Sequence, residues 1–254
     1  MKRVDKRKTA KKTVKKVSKS NKSKIARSST RLNTAVLFSG GKDSGLALQY
    51  ALEKTNVKCL IILKSQNPES YMFHTPNINL AEIQAKNTEI PFIVKGTQGL
   101  KETELADLED AIKQAIKKYK VQGIVTGAIE SIYQASRIQA ITNNLGIECF
   151  NPLWQKDQIE LLHELIKRKF KVSIIGTFAY GMDKMIGRII DEKFIQDITI
   201  LRDKYKINPA GEGGEFESFV LEAPYYKKDL SIEKSKIIKD SGSFVMHIES
   251  LKTV

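Results

Sequence analysis

The sequence predicts an α/β fold: a parallel five-stranded sheet covered on both faces by helices, followed by a small α+β C-terminal domain. Three observations carry that expectation. From Asn33 onward, short β-favouring apolar runs alternate with amphipathic stretches at helical spacing, the rhythm of parallel strands joined by crossover helices. A glycine-bearing turn, Ser39-Gly40-Gly41-Lys42-Asp43-Ser44, separates the first run from the first helix. Beyond Lys169 the alternation gives way to glycine-punctuated segments and short runs.

In chain order, strands are expected at residues 34–38, 57–63, 91–94, 123–126 and 148–153. Helices are expected between them at residues 44–54, 80–87, 102–119, 133–145 and 158–169. Within residues 102–119 the apolar positions Leu105, Leu108, Ile112, Ala115, Ile116 and Tyr119 fall three and four apart, which places one stripe against a sheet. The second part reads as a strand at residues 172–177, a glycine-punctuated segment to Arg188, and a helix through Leu201. The run Gly211-Glu212-Gly213-Gly214-Glu215-Phe216-Glu217 follows, then strands at residues 219–222 and 243–250. The expected organisation is a basic tail at residues 1–31, a first domain at 32–160 and a second at 161–254.

The charge is unevenly distributed. The 254 residues carry 43 basic and 29 acidic side chains, a formal net of +14, but residues 1–31 hold 14 of the basic ones and a single acid, Asp5. The rest of the chain is therefore near +1. A tail rich in Lys, Ser and Thr buries too little apolar surface to offset its ordering entropy and is expected to be disordered. It is either a solvated extension, including one from a start codon assigned too far upstream, or an arm making weak RNA or ribosome contact. Cys59 and Cys149 stand far apart in apolar runs, as expected of buried thiols in a reducing compartment, so a cytoplasmic protein is expected. No apolar stretch approaches the roughly 18 residues of a membrane span, and no signal-peptide core opens the chain. Neither membrane insertion nor secretion is expected.

The chemistry concentrates at the turn after the first strand. Gly40 and Gly41 let the backbone take positive φ and let a phosphate approach without meeting a Cβ. The free N–H groups of the following helical turn, aligned with the helix dipole, then face that phosphate. Lys42 adds a point charge, Ser39 and Ser44 add hydroxyls, and Ser44 is a candidate helix cap. The loop is no Walker-type P-loop, because Val36 stands where the first glycine is needed and Asp43 follows the lysine. Nor does Gly40-Gly41 fit a Gly-x-Gly-x-x-Gly frame. A simple connector would need neither the lysine nor the flanking serines.

This turn resembles the PP-loop of the adenine-nucleotide α-hydrolase superfamily, the N-type ATP pyrophosphatases, whose domain is Rossmann-like (HUP type). The resemblance implies that the loop grips the β and γ phosphates of ATP with Mg²⁺ and leaves the α phosphate open to an acceptor. Further motifs narrow it: Ser70-Tyr71-Met72-Phe73-His74, Gly127-Ala128-Ile129, Tyr133-Gln134 with Arg137, Asn151-Pro152-Leu153-Trp154, and the glycine- and glutamate-rich run. Together, from Leu32 to the end of the chain, they resemble the diphthine–ammonia ligase family. That family implies ATP-dependent amidation of diphthine on translation elongation factor 2 with ammonium, through an acyl-adenylate, giving diphthamide, AMP and pyrophosphate.

Candidate roles follow, each beside a plainer account. Lys42 and Asp43 belong to the cradle and to catalysis. Glu212, Glu215 and Glu217 would attract or deprotonate ammonium, or face the trimethylammonium of diphthine, with Gly213 and Gly214 beside them; the plainer account is a solvated acidic turn. Thr126, Gly127 and Ala128 end the fourth strand at the carboxyl edge, where small residues admit an adenine ring or merely pack closely. The superfamily resemblance implies that Leu63 meets the base through its backbone. His74 is a candidate for phosphate or acceptor, or a structural histidine. Tyr133, Gln134 and Arg137 would hold the substrate, although Arg137 equally suits a solvated charge. Trp154 fits packing better than cation–π contact, Asp183 is a metal-side or capping carboxylate, and the metal ligands are unknown. Two other functions fit less well: a tRNA-modifying PP-loop adenylating enzyme, and a non-catalytic ATP- or AMP-sensing protein.

Overall fold

In the computed structural model, residues 31–67, 77–100 and 103–254 are described, and residues 31–254 belong to one compact unit. Residues 1–30 of the basic tail, His74 and the rest of residues 70–74 lie outside the described residues.

The first sheet contains β1 (Asn33–Leu37), β2 (Asn56–Ser65), β3 (Phe92–Thr97), β4 (Gly123–Val125) and β5 (Glu148–Phe150), in the order β3-β2-β1-β4-β5. Every pair is parallel. The crossovers run through α1 (Lys42–Lys54), α2 (Ala81–Asn87), α3 (Thr103–Tyr119) and α4 (Ile132–Leu145). Side-chain alternation divides the strands between two cores. Val36, Leu60 and Ile62 face α1 and α2, while Ala35, Cys59, Ile61 and Leu63 face α3 and α4. The stripe on α3 lies where its spacing places it, with Leu108, Ala111, Ile112 and Ala115 buried.

Cys59 on β2 and Cys149 on β5 are both free thiols. Two strands separate them, a spread of about 14 Å at the usual inter-strand spacing, beyond the reach of a disulfide. Cys149 is only half-buried, so the expectation of two buried thiols holds for Cys59 alone.

Next come α5 (Gln158–Lys167), β6 (Lys171–Thr177), α6 (Glu192–Tyr205), β7 (Phe216–Glu222), β8 (Leu230–Asp240) and β9 (Ser243–Thr253). The four strands form an antiparallel sheet in the order β7-β6-β9-β8. Val172, Ile174, Phe194 and Val220 from this part share one core cluster with Val36 of β1, Phe38 just beyond it, and Leu46 and Leu48 of α1. Each such side chain, fully buried, contributes about 1.5–3 kcal/mol, so the two sheets are held together by apolar packing. No helix among the described residues is long and apolar enough to cross a membrane.

Strand order reverses at β1: the chain leaves to one side through β2 and β3 and returns on the other through β4 and β5. Such a switch point opens a crevice beyond the carboxyl ends of the two central strands. Strand β7 runs past that crevice, as α1 packs on β7 and the N–H of Val220 donates to Gly40 O at 3.0 Å.

Candidate active site

The turn after β1 is built as an anion cradle, although α1 begins two residues earlier than expected. Gly41 is its extended N-cap, with no side-chain cap bond, so Lys42, Asp43 and Ser44 form the first turn. Ser44 is therefore not the cap. Its hydroxyl instead accepts from Ser39 N at 3.1 Å and lies 3.1 Å from both Ser39 Oγ and Gly41 O. An acid in the first turn suits the helix dipole, which permits the early start.

Gly40 has φ +81°, a value that favours glycine, and its carbonyl accepts from Val220 N and from Gln84 Nε2, each at 3.0 Å. The same Gln84 amide donates to Val220 O at 2.8 Å, and Ser218 Oγ accepts from Lys42 N at 3.1 Å. Three contacts thus stitch the cradle to β7 and α2. Gly127 serves the same packing: a Cβ there would lie 2.8 Å from Asp43 C and 2.9 Å from Ser44 N. Its missing side chain makes room for the first turn of α1.

A cavity of about 530 Å³ opens over this loop, lined by the ends of β1, β2 and β4, the start of α4, and residues 211–214 and 216–218. Leu37, Ile61, Leu63 and Ile138 form an apolar wall suited to a flat base, and Lys42 with the loop forms a polar end. Lys42 is nearly buried; its Nζ is 2.7 Å from Asp43 Oδ2 and 5.3 Å from the centroid of Phe216. Glu212 and Glu217 face the same space. Burial, with Asp43's charge added, lifts Glu212 to about 7 against the pull of Lys42 and of the Glu130 N–H that it accepts at 3.3 Å. Burial likewise lifts Glu217 to about 7, with Lys42 opposing and Asp43 adding. Two carboxyls are thereby poised to exchange protons at neutral pH.

The structure gathers most of the expected residues around this cavity: Ser39, Gly41, Lys42, Asp43, Ser44, Leu63, Thr126, Gly127, Ala128, Tyr133, Gln134, Glu212, Gly213, Gly214 and Glu217 line it. Gly40 lies beneath, inside the loop. Thr126 braces the strand end, donating to Asn151 Oδ1 at 2.5 Å and accepting from Ala128 N at 3.2 Å. Glu215 is outside the lining, its carboxylate accepting from Asn208 N and Gly213 N at 2.8 Å each, which folds the loop. Arg137 is also outside it, its guanidinium 5.2 Å from the centroid of Tyr133. Trp154 and the exposed Asp183 do not reach the cavity.

Sequence reasoning missed Ser218 and Gln84. Ser218 directly follows the acidic run, a signal that was available, whereas Gln84 lies in an ordinary amphipathic helix and gives none. Among the described residues no group of three or more His, Cys, Asp or Glu forms a metal cage. A magnesium ion carried on nucleotide phosphates needs only one or two protein carboxylates, and Asp43 beside the cradle is such a group.

The comparisons with known proteins decide the family. A family model described as diphthamide synthase N-terminal domain matches residues 32–149, and one described as diphthamide synthase C-terminal domain matches residues 157–254. The chain belongs to the diphthamide synthase family. Among curated members of that family, the diphthine–ammonia ligase of Mus musculus is 31% identical over 237 residues, 85% of this chain and 86% of the relative. The diphthine–ammonia ligase of Homo sapiens is 30% identical over the same shares. A solved structure described as a predicted subunit of tRNA methyltransferase from Methanocaldococcus jannaschii covers 76% of this chain and 98% of its own, at 18% identity and TM-score 0.41. That likeness is too loose to bear on function. In this diphthamide synthase family member the two matched regions meet at the cavity, β1 to α4 on one side and β7 on the other.

Proposed function

We propose that this protein catalyses the ATP-dependent amidation of diphthine on translation elongation factor 2 with ammonium, giving diphthamide, AMP and pyrophosphate. In this reading, residues 32–160 bind ATP and residues 161–254 supply the acceptor-side carboxyls. The observation that carries it is the meeting, in one cavity, of a phosphate cradle with two carboxyls lifted to about 7. The acid run has a use beside a nucleotide only if something cationic or protonated must react there.

The loop of Gly40 and Gly41, the first-turn N–H groups of α1 and the Lys42 ammonium bind the β and γ phosphates. They stabilise the charge that gathers on the leaving pyrophosphate. Asp43 would hold a magnesium ion carried in with the nucleotide, which would supply further charge neutralisation there. The apolar wall of Leu37, Ile61, Leu63 and Ile138 orients the base, so the α phosphorus faces Glu212 and Glu217. A carboxylate oxygen of diphthine attacks that phosphorus as the bond to the β-phosphate oxygen breaks, leaving an acyl-adenylate. Glu212 or Glu217, half ionised near neutral pH, accepts a proton from ammonium. The freed ammonia forms the C–N bond, and AMP departs with the former carboxylate oxygen. A further proton passes from the new amide nitrogen to the carboxylates or solvent.

The test is pyrophosphate release with ATP, Mg²⁺ and ammonium, using diphthine-bearing elongation factor, unmodified factor or tRNA as acceptor. Turnover with the first alone is expected. Turnover with tRNA alone would overturn the assignment in favour of tRNA modification, and ATP binding without turnover on any acceptor would favour a sensor.

A further inference from the structure

Strand β7 turns one face toward the phosphate loop, and Phe216, Ser218 and Val220 alternate along it. The centroid of the Phe216 ring lies 5.3 Å from Lys42 Nζ, Ser218 Oγ accepts from Lys42 N at 3.1 Å, and Val220 N donates to Gly40 O at 3.0 Å. Phe216 and Val220 belong to the apolar core shared by the two parts of the chain, so Ser218 is a buried hydroxyl between two core positions. One use for it is the Lys42 N–H, a first-turn donor with no partner inside α1. That bond occupies a lone pair of Ser218 Oγ and leaves its own proton free, and no acceptor for that proton is found among the described residues.

Gly41 shows where that proton can go. A Cβ on Gly41 would lie 3.5 Å from Ser39 Oγ and 3.6 Å from Ser218 Oγ, so the space this glycine leaves open is bordered by both hydroxyls. Ser39, Gly41 and Ser218 all line the cavity. Lys42 is the one cation among the described lining residues, and it is already paired with Asp43 at 2.7 Å, while Glu212 and Glu217 add further carboxyls. Neutral donors therefore carry much of the hold on an anion here, and each hydroxyl counts for more than it would in a lysine-rich cradle.

We propose that Ser218 is a nucleotide-binding residue: its hydroxyl accepts from the Lys42 N–H behind it and donates to a phosphate oxygen seated over Gly41. This rests on the function proposed above, in which the loop holds the β and γ phosphates of ATP, and it adds a donor from the C-terminal part of the chain. A hydroxyl that accepts from an N–H is polarised and donates more strongly, so the N-terminus of α1 reaches the phosphate through Ser218. Glu217 precedes Ser218 on β7 and faces the same cavity. One strand then both touches the nucleotide and carries a carboxyl of the acceptor side. The competing account, a hydroxyl that merely stands in for a phosphate oxygen on Lys42 N and is displaced by it, predicts tighter binding when the hydroxyl is deleted.

The test is calorimetric titration of the full chain with ATP, inorganic pyrophosphate and AMP, comparing wild type with Ser218→Ala and Ser218→Thr. A crystal structure of the wild type with pyrophosphate accompanies it and reads the contact without any substitution. Ser218→Ala is expected to weaken ATP and pyrophosphate roughly tenfold and to leave AMP within about twofold, while Ser218→Thr, which keeps the hydroxyl, stays within about threefold of wild type. In the crystal, Ser218 Oγ is expected about 2.7 Å from a phosphate oxygen. Tighter or unchanged pyrophosphate binding by Ser218→Ala, an equal loss for all three ligands, or a phosphate more than about 4 Å from Ser218 Oγ overturns the proposal while leaving the cradle intact. A wild-type chain that binds neither ATP nor pyrophosphate overturns the proposed function as well.

Discussion

Gly40→Ala tests whether the cradle is held in shape by the contacts described above. Gly40 has φ +81°, and a Cβ there would lie 1.8 Å from Gln84 Oε1 and 2.8 Å from Gln84 Cδ. The left-handed backbone costs a non-glycine residue about 1–2 kcal/mol. The clash forces the buried Gln84 amide away from Gly40 O and Val220 O, and two hydrogen bonds of about 0.5–1.5 kcal/mol each are lost. The expected destabilisation is therefore about 2–5 kcal/mol, a large part of the roughly 5–15 kcal/mol that holds a domain folded. Gly146→Ala is the matched control: its φ is +66°, at the C-cap of α4, and nothing lies within 4 Å of the added Cβ. It should lose only the backbone part, about 1–2 kcal/mol. Urea unfolding at constant m separates the two, with calorimetric ATP titration of each folded variant. Gly40→Ala is expected to lose more stability than Gly146→Ala and to lose ATP binding, while Gly146→Ala keeps it. Equal losses, or intact ATP affinity in Gly40→Ala, would refute the reasoning.

Other outcomes follow from the same geometry. Lys42→Ala removes a charge-assisted phosphate contact of about 1.5–3 kcal/mol, so the Kd for ATP should weaken by about 10- to 100-fold; unchanged affinity would remove Lys42 from the site. Glu217 is lifted to about 7 from its ordinary 4.5, so it favours the folded state below the lower value and loses that contribution as pH rises through the upper one. Thermal melts should accordingly show Glu217→Gln gaining on wild type between pH 5 and pH 8, and a constant difference would contradict the shift. Tyr50→Phe removes a hydroxyl that accepts from Lys156 and donates to Glu164 at 2.5 Å, linking α1 to α5. It should cost about 1–2 kcal/mol in urea unfolding and leave turnover unchanged, since Tyr50 does not line the cavity.

The first sheet was legible because a parallel sheet buried on both faces imposes its rhythm on the sequence. Residues 56–65 and 103–119 carry that rhythm openly. Strand β8 was not legible. Leu230–Asp240 is an exposed edge strand in which Lys234, Lys236, Lys239 and Glu233 break any apolar alternation, and its partner is set by β9 rather than by a core. The early start of α1 was hidden because the glycines suggested a longer turn, whereas Gly41 already caps the helix in extended conformation. At the site, residue types pointed to the cradle and the acidic run, but not to how individual groups are used. Glu215 and Glu217 stand two apart in one acidic run, yet one braces the loop through Asn208 and Gly213 and the other enters the cavity. Gln84 contributes through a tertiary contact with Gly40, which no local pattern encodes.

The central claim is attack on the α phosphorus by an acceptor carboxylate, and oxygen tracing tests it most directly. Diphthine-bearing elongation factor labelled with ¹⁸O in that carboxylate would be incubated with ATP, Mg²⁺ and ammonium, and the phosphorus products analysed by mass spectrometry. One labelled oxygen is expected in AMP for each amide formed, with unlabelled pyrophosphate. Label in inorganic phosphate, accompanied by ADP, would mean attack at the γ phosphorus and would contradict the account.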